Sequence, residues 1–233
     1  MMPLDGVLLV DKPTDWTSHD VCAFVRSRFH LKKVGHAGTL DPLATGLLVV
    51  LLGRATKISN TLSGHEKEYQ GTMELGIQTD SHDRQGKVIQ VAPWEAVTLE
   101  DIRAKTAAFK GDIIQVPPMV SALKHHGVRL YELARKGLTV PREGRNVTVQ
   151  EFELGVKEGP FVHFHVSVSK GTYVRTLVND LGEALGCYAA LAALKRVRSG
   201  RFSLKDASTI EDLRRMEITD LNERVLRLSS VLS

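Results

Sequence analysis

The chain has 233 residues, with 31 Lys and Arg against 27 Asp and Glu and a formal net charge of +4. Hydrophobic residues make up 42% and charged residues 25%, a globular balance that excludes a disordered chain. Cys22 and Cys187 are the only cysteines, which excludes a disulfide scaffold and a four-thiolate zinc site and suits a reducing compartment.

The longest apolar run, residues 47–52, is far short of the roughly 20 residues that span a bilayer. No basic segment at the start leads into a long apolar stretch, so no membrane association is expected and the expected location is the cytoplasm. The positive charge is local. Residues 121–145 hold Lys124, Arg129, Arg135, Lys136, Arg142 and Arg145 against Glu132 and Glu143. Residues 195–205 hold Lys195, Arg196, Arg198, Arg201 and Lys205 with no acid. Such clusters suit phosphate neutralisation, although a solvated helix face and a basic strand edge carry the same charges.

In chain order, residues 6–10 read as a buried strand and 11–15 as a turn. Ser18 is the expected cap of a helix running to Phe29. Residues 32–45 read as a Gly-rich loop, 47–52 as a strand or a buried helix, and 55–62 as helix. Strands follow over 69–77 and 87–91, joined by a turn over 79–86. Thr98 with Asp101 resembles a capping box and opens a helix to Phe109. Pro117-Pro118 breaks the chain before the basic segment, which holds a short helix over 130–136.

Residues 147–156 and 161–169 predict a hairpin. Its second strand puts Val162, Phe164, Val166 and Val168 on one face and His163 and His165 on the other. Those two histidines have no evident third ligand, so no metal is expected. Residues 172–185 predict an amphipathic helix, 189–194 a short helix and 197–202 a basic strand. Terminal helices are expected over 209–216 and 221–228. The mixture lacks βαβ regularity and implies an α+β fold with a central mixed, largely antiparallel sheet.

The densest motif is residues 35–46, GHAGTLDPLATG. Its glycines and Pro42 set an unusual backbone path, and Pro42 steers Asp41 away from helical conformation. Such a loop can present a carboxylate and an imidazole to a cleft. A tight turn whose Asp satisfies local amides is the other reading.

This loop resembles the catalytic signature of the TruB family, the synthases that make pseudouridine at position 55 of tRNA. Residues 6–13, 47–57, 67–69, 75–83, 117–124 and 169–177 resemble further family segments in the same order, covering about residues 6–200. The resemblance implies that Asp41 is the nucleophile toward the target nucleoside. It implies that Tyr69 stacks on the uracil, that Arg175 pairs with Asp41, and that Tyr173 and Leu194 shape the pocket. His36 would help prise out the base, and Lys12 would support the pocket floor. Lys124, Arg129, Arg142 and Lys170 would contact RNA. Ala37 stands where the family often has a small hydroxyl residue.

The chemistry needs no cofactor. The N1–C1′ bond breaks, the uracil turns, and C5 joins C1′. A carboxylate serves as nucleophile while it stays ionised, which a guanidinium favours. The expected partner is the T-arm stem-loop of tRNA, with no protein partner and a monomeric state. The expected organisation is a pseudouridine-synthase catalytic domain over 1–205, with a basic RNA-gripping insertion at about 117–146. A helical tail over 206–233 would be too short for the PUA-like domain of many relatives, which disfavours a guide-RNA-dependent enzyme. A protein that grips a flipped uridine without turnover would use the same basic segments and aromatic platform.

Overall fold

The computed structural model describes residues 4–121, 123–125 and 127–232. The apolar run after Gly6 forms β1 (Gly6–Lys12). α1 (Ser18–Arg28) follows, but its cap is Thr17 rather than Ser18. Thr17 and Asp20 close a reciprocal capping box, which leaves the Ser18 hydroxyl free for another partner. Residues 32–45 are not all loop: β2 (Val34–Ala37) pairs antiparallel with β3 (Thr45–Leu52). The ambiguous run 47–52 is thus strand, buried on both faces as a central strand must be.

A 3-10 turn (Gly53–Ile58) leads into α2 (Ser59–Ser63). β4 (Lys67–Leu75) is separated from β5 (Ile77–Thr79) by Gly76 at φ +95°, and β6 (Val88–Val91) pairs with β5. α3 (Leu99–Thr106) opens on the expected Thr98–Asp101 box. β7 (Gly111–Gln115) precedes the basic segment, which forms a small hairpin of β8 (Lys124–His125) and β9 (Val128–Arg129), then α4 (Leu130–Arg135).

β10 (Arg145–Glu158) and β11 (Phe161–Val168) make the expected hairpin, with Val162, Phe164, Val166 and Val168 buried. α5 (Val174–Leu185) is the amphipathic helix; Gly186 at φ +76° ends it. The largest departure is β12 (Ala189–Ser199), which takes up the Ala- and Leu-rich residues 189–194 expected as helix. Their helix propensity is worth only tenths of a kcal/mol per residue, and sheet pairing overrides it. β13 (Phe202–Ser203), β14 (Ser208–Thr209), α6 (Ile210–Arg215), α7 (Ile218–Arg224), β15 (Leu226–Arg227) and α8 (Leu228–Leu232) complete the order.

The chain forms two compact units and passes between them within β4 and within β12. One unit holds residues up to Gln70 and from Leu194 onward. Its strand order is β14-β1-β3-β12-β4. β1 runs antiparallel to β3 and parallel to β14, while β12 runs parallel to β3. Val7, Leu9, Leu47, Val49 and Leu51 pack with Phe202 in its core. The other unit, Gly71–Ala193, has the order β4-β11-β10-β7, with β10 antiparallel to both neighbours and α3 packed on α5 and β10. The class is α+β, with a mixed, largely antiparallel sheet and flanking helices.

Candidate active site

The loop carrying Asp41 lies in the first unit, between β2 and β3. Gly38 at φ +88° and Gly46 at φ +92° turn the chain at its two ends, in a region that other residues enter at a cost. Both neighbours of Asp41 are held by buried side chains. The Ser18 hydroxyl accepts from the Leu40 amide at 2.8 Å and donates to the Leu40 carbonyl at 3.1 Å. The Lys12 ammonium donates to the carbonyls of Pro13 at 2.8 Å, Trp16 at 2.5 Å and Pro42 at 3.3 Å. The Asp15 amide also donates to the Pro42 carbonyl, at 2.9 Å, and the Ala44 amide to the Asp41 carbonyl, at 3.0 Å.

Lys12 is 0% exposed. Burial pulls its pKa down to about 8, and the charge of Asp41 opposes that shift most strongly. The attraction is mutual: a cationic Lys12 favours the ionised form of the half-buried Asp41. The sequence reading looked only to Arg175 for this charge.

Three further predicted residues belong to the same unit. His36, on β2, is half-buried; burial lowers its imidazole pKa, so the neutral ring is favoured. Its carbonyl accepts from the Ser59 hydroxyl at 3.0 Å. Tyr69 lies on β4, 7% exposed. Leu194 is half-buried on β12, where its carbonyl accepts from the Thr45 hydroxyl at 3.4 Å. Two residues of the late basic segment are not a free phosphate-binding surface. Arg196 is 0% exposed, and Arg198 pairs with Glu68 at 3.2 Å.

In the second unit, Arg175 sits in the first turn of α5, 3% exposed. Its Nη1 donates to the Ser81 carbonyl at 3.1 Å and stands 4.0 Å from the Asp83 carboxylate; its Nη2 donates to the Val120 carbonyl at 2.5 Å. The guanidinium lies 5.7 Å from the centre of the Tyr173 ring. Tyr173 itself is clasped by the buried Gln115, which accepts from its amide at 2.8 Å and donates to its carbonyl at 3.2 Å. His82, beside this group, is pushed down to about 4 by burial, with the Arg175 charge adding to the effect.

Of the expected RNA contacts, Lys170 and Arg129 are exposed, and the Arg129 guanidinium lies 5.9 Å from the Tyr131 ring centre. Arg142 is half-buried and donates to the Pro117 carbonyl at 3.0 Å. The Lys124 side chain lies outside the described residues.

Sequence reasoning missed four residues here. By sequence Ser18 is a cap and Arg196 one of a run of basic charges, while Asp83 and Gln115 have no assigned role. Only Asp83 carried a local signal, since it closes the family-like stretch 75–83.

The family model described as "TruB family pseudouridylate synthase (N terminal domain)" matches residues 26–174, and that described as "tRNA pseudouridylate synthase B C-terminal domain" matches 175–232. The chain belongs to the TruB family. It is 50% identical over 223 residues to the "tRNA pseudouridine synthase B" of Opitutus terrae, covering 96% of this chain and 92% of that protein. The protein of the same name from Syntrophotalea carbinolica is 44% identical, with 98% and 75% covered. Among solved structures, a chain of a Cbf5-Nop10-Gar1 complex superposes with a TM-score of 0.75 at 31% identity. That match covers 95% of this chain and 60% of the solved one. The α+β architecture is thus that of pseudouridine synthases. No helix among the described residues is long and apolar enough to cross a membrane.

Proposed function

We propose that this protein converts uridine to pseudouridine in tRNA, at position 55 of the T-arm loop, with Asp41 as nucleophile. The observation that carries this reading is the Asp41 loop. Its backbone is pinned on both sides of the carboxylate by Ser18 and Lys12, and the buried Lys12 cation favours the charged form. A preorganised, ionised carboxylate is what covalent catalysis on a nucleoside requires.

The reaction is an isomerisation. N1–C1′ breaks and C5–C1′ forms; C5 gives up a proton and N1 takes one, so neither oxidant nor water is consumed. Flipping the target base costs a few kcal/mol, least in a loop, and stacking on Tyr69 offsets part of it at about 1–3 kcal/mol. His36, neutral because it is buried, can enter the stack without bringing a desolvated charge. Arg175 and Tyr173 are assigned to the same reaction on their motif and Leu194 on the family resemblance, and Arg129, Arg142, Lys124 and Lys170 are assigned to RNA phosphates. The enzyme acts as a monomer and without a protein partner.

The test is modification mapping on unmodified tRNA with purified protein, wild type beside Asp41→Asn. Pseudouridine at position 55 alone, with turnover lost in Asp41→Asn and RNA still bound, is expected. Full activity in Asp41→Asn would overturn the mechanism. The solved Cbf5 chain belongs to a complex with Nop10 and Gar1, which supports a second reading in which this chain acts only within a larger assembly. Turnover on tRNA with no other RNA or protein present removes it.

A further inference from the structure

Arg196 is fully buried beneath the loop that carries Asp41. Its Nε donates to the Leu47 carbonyl at 2.7 Å and its Nη2 to the Gly38 carbonyl at 3.0 Å. These carbonyls stand at opposite ends of the loop, so one planar group spans it. The backbone of Arg196 braces the same place. Arg196 pairs with Gly46 in parallel register, and a Cβ on Gly46 would fall 2.4 Å from the Arg196 carbonyl oxygen.

The arrangement is costly for a merely structural contact. The Nη1 group is buried with no hydrogen-bond partner among the described residues, and no carboxylate of those residues pairs with the guanidinium. A desolvated charge held by carbonyls alone is dearer than backbone bonds that could close the same turn. What a guanidinium adds is geometry: a rigid fork fixes two acceptors at a set separation, whereas an ammonium is a point donor on a flexible stem.

We propose that Arg196 is a positioning residue that staples both ends of the catalytic loop and thereby sets where the Asp41 carboxylate stands during the reaction. It touches neither substrate nor reacting atoms; it acts through the Gly38 and Leu47 carbonyls. The staple rests on the reading of Asp41 as nucleophile. A reacting group misplaced by about 1 Å loses on the order of 100-fold in rate.

The experiment compares wild type, Arg196→Lys, Arg196→Gly and Asp41→Asn. It reads the single-turnover rate at saturating tRNA, the Kd for tRNA and the Tm. For Arg196→Lys, we expect a rate lowered about 100-fold, with Kd within about twofold of wild type and a cooperative melt retained. For Arg196→Gly, guanidinium at millimolar concentration is expected to restore part of the rate, and ethylammonium is not. A wild-type rate in Arg196→Lys overturns the staple, as does a rate loss matched by an equal loss of tRNA affinity. If Arg196→Lys does not fold, rescue of Arg196→Gly decides alone; if neither folds, Arg196 is a core requirement and the staple is rejected. Asp41→Asn separates the two ideas. Activity retained there removes the nucleophile, whereas an inactive Asp41→Asn beside a fully active Arg196→Lys removes only the staple.

Discussion

Replacing Ser18 by Ala deletes one oxygen, 2% exposed as part of its residue, that satisfies two backbone groups at once. Leu40, which carries both groups, is 3% exposed, so water does not readily replace the hydroxyl. An unsatisfied buried donor or acceptor costs about 1–3 kcal/mol, so losing both partners should cost about 2–6 kcal/mol. For a chain of this size each kcal/mol lowers Tm by roughly 2–4 °C, which gives a fall of roughly 4–24 °C. Leu40 adjoins Asp41, so the single-turnover rate should fall as well while tRNA affinity holds. Thr17→Ala is the control. It removes the true cap of α1 at an exposed site, costs about 1 kcal/mol and should leave the rate unchanged. Urea titration and rapid-quench kinetics on the two variants check this. A Ser18→Ala protein as stable and as fast as wild type would refute the claim that this hydroxyl holds the loop.

His82 supplies a pH test. Its folded pKa of about 4 lies below the unfolded value of about 6.5, so over that window the unfolded chain takes up a proton that the native one refuses. Stability contributed by the neutral ring is complete above about pH 6.5 and is lost as pH falls toward 4, at up to about 1.4 kcal/mol per pH unit; His82→Gln should flatten the urea midpoint against pH there, and an unchanged slope counts against it. Gly46→Ala should cost about 2–5 kcal/mol in thermal unfolding, since it adds left-handed strain to a clash with the Arg196 carbonyl. Gly159→Ala, at φ +59° with open space around it, should cost no more than about 2 kcal/mol, and equal losses in the two variants would reject the clash. Arg129→Ala and Lys170→Ala should each lower the slope of log affinity for tRNA against log salt by about 1; filter binding across a salt series checks this, and an unchanged slope would place them off the RNA.

What the sequence determined was local. The Thr98–Asp101 box, the alternation of 162–168, the stripe of α5 and the Gly- and Pro-bounded Asp41 loop are each written in residues a few positions apart, where propensity and period act directly. The residues that hold the candidate site were decided by tertiary structure. Ser18 finds Leu40 across 22 positions and Arg196 finds Leu47 across 149, so the same residue types read in isolation as a cap and as surface charge. Residues 189–194 show the same limit, since helix propensity yields once β12 can pair with its neighbours. Burial and hydrogen-bond partnership are sums over neighbours that folding brings together. They turn a nominally basic stretch into the enclosed fork beneath Asp41.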